Sequence, residues 1–409
     1  MNIVVIMPTY NEKENIIKMI PVLEKDVFPK VGNKHLCSLL VVDDNSPDGT
    51  GDKVKEFMKQ WKNIELLTGN KQGLGAAYVR GMQYAMKKMH ADAVIEFDAD
   101  FQHDPHDIPR LIQAMDEGAD YVIGSRYIPG GEIPKEWGLN RKILSYYGGS
   151  WLGRIMLGFW NIHDITAGYK LTKTSFLKKV DLDHLYSKDF AYKMQILHDV
   201  VKQGAKVKEI PVVFYERTEG NSKISQKDQF DSLYVLARLR WDDSQRFIKF
   251  LVVGGTGFIV QLIAQEGSVA IGLALALGLG IKMLFPHTNI EVIRDGIAAG
   301  IGAELAIISN FLFNNYWTFQ DANNVHQSAN FFVRLIKFNV TSLAAIFIQF
   351  AAVAAAVFFW GEKLRIGHYA IATRIVVLFP VIILLVIPLN YLIYNKLIWK
   401  TQYLKAHTK

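Results

Sequence analysis

Beyond Arg246 the chain is dominated by four apolar stretches, FIKFLVVGGTGFIVQLIA, GIAAGIGAELAIISNFLF, VTSLAAIFIQFAAVAAAVFFW and IVVLFPVIILLVIPLNYLIY. A helix needs roughly 20 apolar residues to cross a bilayer, because lipid offers backbone polar groups no partners. The C-terminal part is therefore expected to be an all-α membrane domain, with spans at about 248–278, 296–318, 338–360 and 371–395. The first stretch runs from about Phe247 to Gly280 and holds Gln261, Gln265 and Glu266, so it reads as one long tilted helix or as two short segments, five crossings in all. Basic residues flank both sides: Arg238, Arg240, Arg246 and Lys249 before the first span, and Lys396, Lys400, Lys405 and Lys409 after the last. An even count returns the chain to its starting side, so the basic tail favours four spans, with both flanks in the cytoplasm. Glu266 and Glu304 are costly in apolar stretches and either line a lipid path or pair between helices, with pairing the favoured expectation. The N-terminal MNIVVIMPTYNE lacks the basic region, long apolar core and small-residue cleavage site of a secretory leader.

Up to Arg246 the charges are spread evenly and short apolar runs alternate with helical spacing. IVVIM ends at Pro8, SLLVV ends in DDNSPDGTG, and an apolar run closing in IEF ends in DADFQHDP. Such alternation predicts βαβ units and a mostly parallel, Rossmann-like sheet, whose ligands sit at the carboxyl ends of the strands. Neither GxGxxG nor GxxxxGK[ST] occurs, which argues against the usual dinucleotide fold and the P-loop NTPases. The strand ends offer carboxylates, a tyrosine and hydroxyls instead, a set suited to a nucleoside and a divalent metal. Net charge is +7, but juxtamembrane Lys and Arg explain much of it and no basic stripe is interleaved with aromatics, so nucleic acid is not an expected partner. The single cysteine, Cys37, excludes an intramolecular disulfide and any multi-cysteine metal site.

Arg126, Arg141, Arg217 and Lys223 occur in loop-like stretches rich in Gly, Pro or Ser, where functional groups concentrate. Residues 224–246 place Phe230, Leu233, Val235, Leu236, Leu239 and Trp241 at roughly helical spacing, as an amphipathic interfacial linker helix would. The expected organisation is an α/β domain over 1–223, this linker, and a membrane domain over 247–409.

PTYNE, VVDDNSPDGT, GLGAAYVRG, DADFQH, IGSRYIPGG, DITAGYK and EGNSK, in this order, resemble glycosyltransferases of family 2 with the α/β GT-A fold, specifically the dolichyl- or polyprenyl-phosphate mannose synthases. The resemblance covers about residues 1–240. RFIKFLVVGG and NFLFNNYWTF resemble the four-span GtrA-type membrane domain often fused to such enzymes. The resemblance implies that Pro8, Tyr10, Glu12, Val42 and Asp44 hold the nucleoside of GDP-mannose, that Asp98, Ala99 and Asp100 contact its diphosphate, and that Asp98, Asp100 and Gln102 hold Mg²⁺ or Mn²⁺. It further implies that Arg126, Arg217 and Lys223 reach the donor diphosphate, that Arg126, Arg141 and Lys223 reach the acceptor phosphate, and that Asp100, Arg126, Arg217 and Lys223 are the catalytic set.

The implied reaction moves mannose to a dolichyl or polyprenyl phosphate with inversion at C1, giving a β-mannosyl phosphoryl lipid and GDP. A phosphate monoester has a second pKa of about 6, so the acceptor is largely dianionic and attacks without a general base. Asp189, in KDFAYKM, stands where the mannose synthases commonly have glycine and where relatives with hydroxyl acceptors carry a base; it reads as structural or as a sugar contact. Two other readings remain: a UDP-sugar glucosyl- or N-acetylhexosaminyltransferase, and a lipid-linked-sugar transporter built on the membrane domain.

Overall fold

A computed structural model describes residues 1–32, 34–216, 226–320, 331–366 and 369–399. It divides into two compact units, Met1–Asp242 and Asp243–Lys409.

The first unit is built on a seven-stranded sheet of β1 (Asn2–Thr9), β2 (Leu36–Asp43), β3 (Ile64–Thr68), β4 (Ala93–Glu96), β5 (Tyr121–Ser125), β6 (Lys170–Lys173) and β7 (Val207–Pro211), in the order β3-β2-β1-β4-β6-β5-β7. All neighbours pair in parallel except β6, which runs antiparallel to both β4 and β5. The central strands are buried on both faces, as their uninterrupted apolar runs require. Alternate residues go to opposite sides. Val4, Ile6, Leu40, Val42 and Val94 meet α3 (Leu74–Lys87), whereas Ile3, Val5, Met7, Leu39, Val41 and Ile95 meet α1 (Lys13–Val22), α2 (Thr50–Gln60) and α4 (Ile108–Asp116). The result is the three-layer GT-A architecture.

After α4 come the short helices α5 (Leu139–Ile143), α6 (Leu152–Leu157) and α7 (Thr174–Leu177), then α8 (Tyr192–Lys202) and the long α9 (Gln226–Ala270), which contains the division between the units. Of the apolar face expected between 224 and 246, Val235, Leu236 and Leu239 are buried in the core beside α3 and α8, while Phe230, Leu233 and Trp241 are exposed.

In the second unit α9 ends at Ala270 rather than near 278, because Gly272 adopts a left-handed conformation with φ 72°. The following α10 (Leu273–Leu284) has 12 residues, about 18 Å of helix, too short to cross. Among the described residues, four helices are long and apolar enough to span a membrane: Lys227–Ala270, Ile290–Thr318, Phe331–Trp360 and Val376–Ile398. The second comprises α11 (Ile290–Phe313) with one further turn, and the third is α12 (Phe331–Trp360). Glu304 of α11 accepts a hydrogen bond from Asn339 of α12 at 3.2 Å, the interhelical partner expected for it.

Candidate active site

The sheet order places the ends of β2, β1 and β4 side by side. Thr9 lies opposite Asp43, and Ile6 opposite Glu96, so Tyr10, Asp44 and Asp98 leave the sheet on one edge. The chain turns sharply there: Asn11, Asn45 and Phe101 have φ of 58°, 54° and 59°, and among the described residues only His90 shares a positive φ without being glycine. Side chains other than glycine seldom adopt this region, and such residues gather at functional sites.

The adjacent carboxylates of VVDD have different tasks. Asp43 accepts from Thr9 Oγ1 at 3.0 Å, Ser46 N at 3.0 Å and Ser46 Oγ at 2.5 Å, and so closes its own turn. Asp44 instead takes Arg80 Nη2 on Oδ1 at 2.5 Å. Glu12 accepts from Asn15 Nδ2 at 2.7 Å. Tyr10 is faced by Lys71, whose Nζ lies 3.4 Å from the ring centroid, a cation–π contact on the ring expected to stack. Val42 is wholly buried. Pro8 continues β1 beside it.

At the end of β4, Asp98 Oδ1 accepts from the Tyr78 hydroxyl at 2.7 Å. Asp100 is 5% exposed and accepts from Gln102 N at 3.1 Å, with Ala99 buried between the two aspartates. Gln102 is placed by a main-chain bond from Tyr215 N to its carbonyl at 2.9 Å, and its amide nitrogen lies 3.4 Å from Tyr215 O. Carboxylates and a carboxamide oxygen are hard-oxygen donors, the type that Mg²⁺ and Mn²⁺ take while keeping waters and substrate phosphates as further ligands. Next door, His103 is 3% exposed against Tyr169 and Phe214, and burial pushes its imidazole down to about 4, so the ring is neutral at physiological pH. Asp104 caps the turn at Pro105 by accepting from His106 N at 2.9 Å.

The cations are less uniform than their loops suggested. Arg126 is buried and bidentate to Asp164, Nε to Oδ2 at 2.7 Å and Nη2 to Oδ1 at 2.9 Å, with Nη2 also donating to Thr166 Oγ1 at 2.8 Å. Arg141, on α5, stacks over Trp137 with its guanidinium carbon 4.0 Å from the ring centroid. Arg217 and Lys223 lie outside the described residues. Asp189 lies beside the GLGAA turn, 3.7 Å from Lys227 Nζ. A Cβ on Gly73, which has φ 115°, would fall 2.4 Å from Asp189 Oδ1, so glycine there permits the close approach.

Behind the strand ends lies a buried polar network. Glu96 takes a hydrogen bond from the Tyr192 hydroxyl and lies opposite Lys170 across β4 and β6. Lys170 Nζ donates to Lys193 O at 3.3 Å, and burial pushes its ammonium down toward about 7 against the pull of Glu96. A lone glutamate inside an apolar strand was the available signal for this network. Its partners, about 70 to 100 positions away, carried none.

Residues 4–181 match the family model described as glycosyl transferase family 2, and residues 249–399 match the GtrA/DPMS transmembrane domain. The chain is 31% identical over 381 residues to a dolichol-phosphate mannosyltransferase of Pyrococcus furiosus, covering 92% of this chain and 94% of that one. An undecaprenyl-phosphate mannosyltransferase of Micrococcus luteus is 38% identical over 55% of this chain and 88% of its own. A polyprenol monophosphomannose synthase of Mycolicibacterium smegmatis is 37% identical over 57% of this chain and 84% of its own. Among solved structures, a mannosyltransferase of Pyrobaculum calidifontis in complex with GDP-Man and Mn²⁺ matches at 16% identity and TM-score 0.37 over 77% of this chain and 87% of that one, too distant to carry an argument. With the Pyrococcus match extending over nearly the whole of both chains, this protein belongs, as a mannosyltransferase, to the family 2 glycosyltransferases that carry a GtrA/DPMS transmembrane domain.

Proposed function

We propose that this membrane-bound enzyme transfers mannose from GDP-mannose to a dolichyl or polyprenyl phosphate, with inversion at C1 and with a divalent metal. The observation that carries this reading is the convergence of three adjoining strand ends, which sets Tyr10, Glu12 and Asp44 beside Asp98 and Asp100. Asp44, held by Arg80, leaves its second oxygen to accept an N–H of the base, and Tyr10 offers the stacking face once Lys71 moves aside. Asp98, Asp100 and Gln102 would hold Mg²⁺ or Mn²⁺, which supplies Lewis-acid stabilisation to the departing diphosphate.

The acceptor brings its own nucleophile, a phosphate oxygen already deprotonated at neutral pH. What the protein must supply is fixed positive charge beside two phosphate groups. Arg126 and Arg141, with Arg217 and Lys223 from the segment outside the described residues, are assigned that task. The basic residues flanking the spans, Arg238 to Lys249 on one side and Lys396 on the other, support a cytoplasmic catalytic unit. The test uses the full purified chain with Mg²⁺ or Mn²⁺, a polyprenyl phosphate and either GDP-mannose or UDP-glucose. Mannosyl transfer from GDP-mannose, giving a β-linked product by the one-bond C1–H1 coupling, is expected. Faster transfer from UDP-glucose overturns the donor, and an α-linked product overturns inversion.

A further inference from the structure

Gly168, in DITAGYK, floors a small polar hollow beside Asp98. A Cβ at this position would lie 3.4 Å from His103 Nε2, 3.5 Å from Lys193 Nζ and 3.6 Å from Asp98 Oδ2. His103 and Lys193 are 3% and 8% exposed, so two deeply buried polar side chains converge on this point, while Asp98 and Gly168 are half-buried and open it outward. The outer oxygen of Asp98 faces the hollow because its other oxygen is held by Tyr78. Among the described residues Lys193 Nζ makes no ion pair; it lies 5.4 Å from the centre of the Phe190 ring.

The chemistry of the walls selects the occupant. A cation is opposed by the lysine, and an anion by the aspartate. With the neutral His103 imidazole in the tautomer that carries its proton on Nε2, two N–H donors face one carboxylate acceptor and complement a hydroxyl, which donates one hydrogen bond and accepts two. We infer that the hollow over Gly168 is a sugar subsite, in which Asp98, His103 and Lys193 read a hydroxyl of the donor's hexosyl group. This rests on the reading that puts the donor diphosphate at the end of β4. His103 is thereby a specificity residue of the transfer, and Lys193 a second, both outside the metal and phosphate groups proposed above.

Gly168→Ala tests the subsite directly. The added methyl meets its neighbours at ordinary contact distances, so it fills the hollow without displacing the protein. Dissociation constants for GDP and GDP-mannose are measured on the full chain with Mg²⁺ and without acceptor, for wild type, Gly168→Ala and Lys193→Met. Both variants are expected to hold GDP within about twofold of wild type and to lose about tenfold in GDP-mannose affinity, the loss of one charge-assisted hydrogen bond. Unchanged GDP-mannose affinity in Gly168→Ala would show a hollow filled by water alone and overturn the subsite. Equal losses for GDP and GDP-mannose would show a structural role and overturn it too. If the enzyme proves to use UDP-glucose, the same comparison is made with UDP and UDP-glucose, so an error about the base stays separate from an error about the hollow.

Discussion

Arg126 is joined to Asp164 by two hydrogen bonds in a buried pair, and this changes what its replacement tests. Arg126→Ala strands a buried carboxylate and is expected to cost about 3–5 kcal/mol of stability, measured by chemical denaturation, besides any loss of transfer. Burial alone would raise the Asp164 carboxyl, but the Arg126 guanidinium and the hydrogen bonds around it hold the group below the ordinary aspartate range. The folded state therefore gives up this proton more readily than the unfolded chain does. The stabilisation is complete above the unfolded value of about 3.9 and is lost as pH falls through the lower folded value. Below about pH 4, wild-type stability should fall with a slope that Asp164→Asn lacks, read from denaturation midpoints across the acid range. The sequence placed Arg126 in a loop and Asp164 in a motif. Their pairing, across 38 positions, was not legible because burial depends on what packs over both.

Among the elements, the GLGAA turn and the start of α8 are fitted to one another. Ala76 N donates to Lys188 O at 3.0 Å, and Gly73 leaves no room for a side chain between the turn and Asp189. Asp189 is thus a wall of this turn, and a dianionic acceptor needs no base from it. Asp189→Asn should transfer mannose within about threefold of wild type with an unshifted pH profile; a hundredfold loss would make Asp189 a base. The membrane helices show the limit of reading elements from composition. Length and hydropathy sufficed for four candidate spans and left two segments between Phe247 and Gly280 as an alternative, yet they did not place the break at Gly272. Gly254, Gly255, Gly257, Gly267 and Gly278 share the same apolar run, and nothing local distinguishes the one that turns left-handed.

For the whole molecule, the two hydrophobic cores that sandwich the seven-stranded sheet lie within Met1–Asp242. That unit, expressed alone, should fold and bind GDP within about threefold of the full chain by calorimetry. A tenfold weaker affinity, or failure to fold, would make the membrane unit part of the nucleotide site or of its support. The sequence by itself determined the class of this protein: apolar runs long enough only for lipid, and alternating strands that end in carboxylates, are local properties of the chain. It also predicted the mostly parallel sheet, though not the reversal of β6, which rests on pairing with β4 and β5 far away in the chain. Tertiary structure alone decided which aspartate of VVDD closes a turn and which faces the edge, and which arginine is already partnered. It also brought Asp98, His103 and Lys193 around Gly168. The physical reason is common to these cases. A side chain's charge, reach and solvation are set by neighbours that folding brings from distant positions, whereas periodicity and length are written in the residues themselves.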